Sequence, residues 1–284
     1  MADMLNRFTF DGAPVRGALV TLDSTWSRML RGHDYPEPVA RLLGELVSAT
    51  ALLASTIRND GTLTLQLRGN GPVSVAMAEC RNGEGYRGIA RVRDDQPVAG
   101  ELDFGALLGN GDLAITLQPP DAEPYQGIVS IDQGRLEWSI EDYLQRSEQL
   151  ETRLWLGCAD GRARGMLIQR LPISETEVGE DFDVDAWNRL SHLAATIHPR
   201  ELLELGPIRL LGRLFHEEQV RIHEAEPQRF FCSCTRERTA SALQIMGSEE
   251  VESILRDEGE VSVECQFCRE EYRWSEHEAR ALFA

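Results

Sequence analysis

Lysine is missing altogether. The 284-residue chain carries 29 basic side chains, and all of them are arginine. A Walker phosphate loop, a Schiff-base lysine and a kinase-type lysine are therefore excluded; codon bias in a GC-rich genome explains the skew. Long apolar runs are missing too. A membrane span takes roughly 18 or more apolar residues, and the most apolar region, residues 42–57, is interrupted by Gly44, Glu45, Ser48, Thr50, Ser55 and Thr56. The first residues show no basic stretch followed by an apolar one, so no secretory signal is visible and the cytosol is the expected compartment. Positive charge is scarce: 47 acidic residues give a formal net charge of -18, which disfavours contact with nucleic-acid phosphates. No Ser-His-Asp or paired-carboxylate constellation stands out, and no enzymatic activity is expected.

What is present suits a folded chain of one large and one small domain. Residues 7–10 and 17–22 read as strands, and Tyr35 to Ile57 as a long helix with Pro36 and Pro38 before or in its first turn. Val39, Leu42, Leu43, Leu46 and Val47 follow the helical period. Residues 61–67 alternate strictly, placing Leu63, Leu65 and Leu67 on one face of a strand. Further strands are expected at 73–77, 88–92, 113–117, 127–131, 153–156 and 166–171, with helices at 102–108 and 140–150. Asn110-Gly111 carries a type I′ hairpin signal.

The composition changes at Ser174. Glu175, Glu177, Glu180, Asp181, Asp183 and Asp185 fall within eleven residues that contain no base. Helical pieces come next at 187–197, 200–205 and 208–215, punctuated by Pro199, Gly206 and Pro207. Leu190, Leu193, Leu202, Leu203, Leu205, Leu210 and Leu214 recur at helical spacing and are expected to pack on the preceding domain. The fold class expected is α+β: an N-terminal sheet domain with helices over 1–174, a helical linker over 175–228, and, over 229–284, a small C-terminal module whose four cysteines mark it as zinc-binding.

Four of the six cysteines lie in the last 53 residues, as Cys232-Ser-Cys234, then 30 residues, then Cys265-Gln-Phe-Cys268. Zinc takes four soft ligands in a tetrahedron, and two close pairs on separate turns supply them. A tail of this size has a small core, so a bound metal would contribute much of its folding energy, about 10–16 kcal/mol in small zinc peptides. Zinc holds its sulfurs as thiolates, the form oxidants attack. The spacing is compatible with a permanent structural knuckle and with a redox switch. Cys80 and Cys158 sit beside apolar strand segments and read as buried small hydrophobes. His216 and His223 make no His-Glu-x-x-His motif and are expected on polar helix faces.

At these residues the sequence resembles the redox-regulated heat-shock protein 33 family of ATP-independent holdase chaperones. Residues 231–238, 246–250 and 264–272 resemble the family's C-terminal signature, with Thr235 in place of the usual serine. Residues 193–196 and 213–218 resemble its linker, and residues 35–39, 42–46 and 61–80 its N-terminal domain. The resemblance implies zinc on Cys232, Cys234, Cys265 and Cys268 in an inactive reduced state. It implies that oxidant with mild unfolding stress ejects the zinc and forms the disulfides Cys232–Cys234 and Cys265–Cys268. The linker and zinc module then disorder, unfolding client proteins are held, and the active form is a homodimer needing no ATP. Two other readings remain. A zinc-ribbon nucleic-acid-binding or regulatory protein with a purely structural zinc would need a basic stripe, which Arg236, Arg238, Arg269 and Arg273 could begin. A disulfide oxidoreductase using Cys265 and Cys268 would put that pair at a helix start.

Overall fold

The computed structural model describes residues 2–57, 61–131, 134–172, 183 and 185–283. Glu175, Glu177, Glu180 and Asp181 of the acidic run lie outside the described residues.

Two six-stranded sheets face each other across one helix. The first has β1 (Met4–Phe10), β2 (Val15–Thr21), β8 (Thr152–Ala159) and β9 (Arg162–Arg170), with the short β10 (Val220–Ile222) and β11 (Glu226–Pro227) both paired to β1. The second runs β12 (Arg229–Phe230), β5 (Gly85–Val92), β4 (Val73–Arg81), β3 (Thr62–Gly69), β6 (Gly111–Gln118), β7 (Tyr125–Ser130). All of its pairings are antiparallel except β12 on β5. Leu63, Leu65 and Leu67 are buried together on one face of β3, as the alternation requires.

Helix α2 (Glu37–Thr56) lies between the sheets and is buried over most of its surface, leaving a polar edge at Glu37, Arg41 and Glu45. Its length and composition would also suit a membrane span, but most of it is enclosed by the two sheets. Small residues permit the close approach: a Cβ on Gly44 would lie 2.3 Å from Cys158 Sγ and 2.9 Å from Cys158 Cβ. The helix has no basic residue in its last turn. Arg7 and Arg16, from β1 and β2, supply the missing charge by donating to Ser55 O at 3.3 Å and Thr56 O at 3.2 Å. The helix α1 (Asp23–Met29), which buries Trp26 and Met29, was not expected from the sequence.

The first sheet is covered on both faces, so consecutive residues of its strands are buried, without a break from Ala163 to Gln169 in β9. Leu5, Ala18, Val20, Leu154, Leu156 and Leu167 face α2. Phe8, Phe10, Val15, Leu19, Met166 and Ile168 face the other way, against α5 (Ala186–Ala194), α6 (Pro199–Glu204) and α7 (Pro207–Leu214). Leu190, Leu202, Leu210 and Leu214 are buried in this layer, Leu193 and Leu205 pack on its edge, and Leu203 lies over Gly157. Phe215 closes it, with its ring 4.9 Å from Phe10 in an edge-to-face contact.

The Asn110-Gly111 signal is not realised as a hairpin. A type I′ turn needs positive φ at both central residues, and Asn110 does not have it. Gly111 instead lets β6 approach β3, since a Cβ there would strike Arg68 O. The I′ geometry occurs at Asn82-Gly83 (φ 53° and 73°) and at Asp160-Gly161 (φ 50° and 73°).

The tight α2 packing is open to test at two positions. Gly44→Ala should lower the urea midpoint of unfolding, because overpacking costs about 1–3 kcal/mol and exceeds alanine's helix-propensity gain. An unchanged midpoint would show that Cys158 yields freely. Glu45 is pushed up to about 7 by burial, then by the nearby Glu137 carboxylate. The folded state therefore binds the extra proton, and this site's contribution to stability falls as pH rises from the ordinary carboxylate range through about 7. Glu45→Gln should flatten that slope and raise the melting temperature at pH 8; a slope identical to wild type would assign it to other groups.

Candidate metal centre

The C-terminal module is built from α8 (Arg236–Met246), α9 (Ser248–Glu258), the hairpin β13 (Glu260–Glu264) and β14 (Glu271–Ser275), and α10 (Glu276–Ala281). Its helices are capped locally. Thr235 Oγ1 accepts from Arg238 N, so threonine serves as well as serine at the start of α8. Ser275 and Glu278 form a reciprocal capping box on α10, and Gly259 ends α9 with φ 77°. The module's own core is Leu243, Val251, Leu255, Val261, Trp274 and Ala279. Six buried side chains are few for an independent fold, so a cross-link has much to contribute here.

The cysteines occupy the two loops at the base of this module. Cys232 and Cys234 lie between β12 and α8, and Cys265 and Cys268 in the turn joining β13 to β14. That turn is closed by Cys265 N donating to Glu270 O at 2.8 Å and Arg269 N donating to Cys265 O at 2.9 Å, with Arg269 at φ 60°. The four Sγ atoms all lie within 4.8 Å of one another. Cys232 and Cys265 are 3.7 Å apart and Cys234 and Cys268 3.3 Å. A zinc tetrahedron with bonds of about 2.3 Å has sulfur–sulfur edges of roughly 3.8 Å, so these residues fit a zinc ion after small adjustments.

The thiols do not share one environment. Burial pushes Cys232 and Cys268 up. Burial also acts to raise Cys265, but hydrogen bonds from the Cys268 and Phe267 backbone, with the neighbouring thiols, outweigh it and pull the group down. Four anionic sulfurs at this spacing repel one another, and a divalent cation is the species that lets all four ionise. Tyr272, which sequence reasoning passed over, donates its hydroxyl to Cys234 Sγ at 3.3 Å. Its position opposite Val263 in the hairpin brings it there, a consequence of pairing that no local motif announces.

The other candidates stand apart. Cys80 and Cys158 are buried in the inter-sheet core, and burial raises Cys80 to about 11, so both are inert small hydrophobes. Neither histidine sits on a helix: His216 is in the turn after α7, and His223 comes just after β10, its Nε2 lying 3.2 Å from Thr9 Oγ1. The arginines that could begin a basic stripe beside the cysteines are engaged by acids or by backbone. Arg236 pairs with Glu278, Arg269 with Glu264, and Arg273 with Glu260 and Glu271, while Arg238 donates to Ser233 O. Cys265 and Cys268 lie in a strand–turn–strand, not at a helix start, which removes the oxidoreductase geometry.

Comparison with known proteins agrees with this architecture. A model of the Hsp33 protein family matches residues 3–275. The 33 kDa chaperonin of Methylobacillus flagellatus is 41% identical over 288 residues, covering 100% of this chain and 95% of that protein. The 33 kDa chaperonin of Ectopseudomonas mendocina is 42% identical over 285 residues, with coverage of 100% and 96%. Among solved structures, the 33 kDa chaperonin of Thermotoga maritima superposes with a TM-score of 0.83 at 23% identity, over 98% of this chain and 97% of that one, and so shares the fold. The match extends from the first strand into the cysteine module, and the chain belongs to the Hsp33 family.

Proposed function

We propose that the protein is a holdase chaperone switched on by oxidation, with Cys232, Cys234, Cys265 and Cys268 holding a zinc ion in the resting state. Membership of a family whose curated relatives are named chaperonins supports the chaperone part. The observation that carries the switch is the covering of the first sheet. Phe8, Phe10, Val15, Leu19, Met166 and Ile168 are shielded by α5–α7, and that segment leads through the short strands β10–β12 into the cysteine loops.

A zinc ion held there supplies a cross-link between the two loops and keeps the four sulfurs as thiolates. Peroxide joins Cys232 to Cys234 and Cys265 to Cys268. Each pair gives up two electrons, and each peroxide takes two protons and leaves as two waters. Bridged sulfurs are no longer thiolate ligands, so the module loses its cross-link and, with its six-residue core, its fold. The strands β10, β11 and β12 then lose their anchor, α5–α7 leave the sheet, and the apolar face meets unfolding client proteins. Two activated chains associate as a homodimer. Nothing in the cycle calls for ATP. The cytosol, which keeps thiols reduced until stress arrives, is the setting this reading requires.

The direct test combines zinc release to a chromogenic chelator with suppression of citrate synthase aggregation, before and after peroxide at heat-shock temperature. The expected result is about one zinc per chain released, with suppression appearing only afterwards and reversed by thiol reductant. Zinc that stays bound, or that leaves without suppression appearing, makes the site structural. A second test bypasses oxidation. Phe215→Ala removes about 3–5 kcal/mol of packing from the cover, so the reduced variant should bind a hydrophobic dye and suppress aggregation without peroxide; wild-type behaviour of this variant would detach the cover from the activity.

A further inference from the structure

The two cysteine motifs enclose three residues that are not candidate ligands: Ser233 in the first, and Gln266 and Phe267 in the second. All three touch the N-terminal domain. Arg87 Nη1 donates to Ser233 Oγ at 3.1 Å, and the same guanidinium lies 4.1 Å from the centroid of the Phe267 ring. Arg91 donates to Gln266 Oε1. His33 Nε2 lies 3.1 Å from Phe267 O, and Arg269 reaches back to donate to Gly32 O at 3.2 Å.

Arg87 occupies the middle of these contacts, and its own strand explains how. Arg87 and Arg91 are four residues apart on β5, hence on one face, while Gly88 and Ala90 between them are buried on the other. Glu79 stands opposite Arg87 in the β4–β5 register and accepts from its Nε. The two side chains are only 22% and 19% exposed. The carboxylate thus fixes the guanidinium plane and turns Nη1 and the ring-stacking face toward the cysteine loops. An arginine paired to a carboxylate in this way stays a cation at any physiological pH. One planar group serves a carboxylate, a hydroxyl and an aromatic face together, which a lysine could not do.

A contact that only rested the module on the domain could fall anywhere on its surface. This one lies between the two ligand pairs, in touch with the residue inside each. We propose that Arg87 is a positioning residue of the metal centre, supplied by the N-terminal domain, and that it joins metal retention and module docking into one coupled equilibrium. Four thiolates around a divalent cation carry two net negative charges, and a fixed cation held against Ser233 and Phe267, between the ligand pairs, offsets part of them where screening by water is reduced. By reciprocity, whatever docking adds to metal affinity, the metal adds to docking. Oxidation of the ligand pairs would then remove the negative charge beside Arg87 in the same event that removes the ligands. This role for Arg87 rests on the switch reading and specifies how the centre is connected to the rest of the chain.

The test uses the full-length, reduced, zinc-loaded chain and two readouts: zinc retention against a competing chelator, and amide hydrogen exchange in residues 85–92 and 265–269. Arg87→Gln is expected to weaken retention by roughly tenfold and to speed exchange in both segments. Exchange that rises while retention stays at the wild-type level reduces Arg87 to a surface contact and overturns the proposal, leaving the switch reading intact. A wild-type chain that holds no zinc overturns both. Should Arg87→Gln fail to fold, Phe267→Leu tests the contact from the module's side. Loss of the stacked ring should speed zinc transfer to the chelator by roughly threefold, and an unchanged rate overturns the proposal.

Discussion

A sheet that is apolar on both faces must be covered on both. The first sheet meets this constraint asymmetrically. One side is closed by α2, a helix clamped between two sheets and held at its end by arginines from neighbouring strands. The other is closed by three short helices of six to nine residues, stitched to the sheet by apolar side chains and one aromatic cluster. Helices this short have little stability of their own, so the second cover depends on the chain immediately C-terminal to it.

That stretch is a set of strands crossing between sheets. β10 and β11 pair with β1 in the first sheet, and β12 pairs with β5 in the second. The next residues are Phe231, Cys232, Ser233 and Cys234. The cysteine loops return to β5 through Ser233, Gln266 and Phe267, so the cover, the crossing strands and the candidate metal centre form one continuous path. On the proposed reading a chemical change at the sulfurs acts at the far end of that path, and the apolar face lies at the near end.

Much of this was legible in the sequence because the signals were local. The spacing of Cys232, Cys234, Cys265 and Cys268 marked the cysteine cluster, strict alternation placed Leu63, Leu65 and Leu67 on a buried face, and helical periodicity marked α2 and the buried leucines of α5–α7. The rest is fixed by distant partners. β10, β11 and β12 are two or three residues long, with Pro227 among them, and exist only because β1 and β5 offer edges. Arg87 and Tyr272 reach the cysteines through strand register, which no window of sequence contains. Asn110-Gly111 misled because a turn signal reports what a dipeptide tolerates, whereas the approach of β6 to β3 determined what it does.

The crossing strands have a mechanical consequence. Glu226 and Pro227 register with β1, and Arg229 and Phe230 with β5, two residues in each case. On the proposed reading, load passing from the module toward α5–α7 meets small detents in series, and the segment works as a fuse: once its first link parts, the remaining links fail in order along the chain.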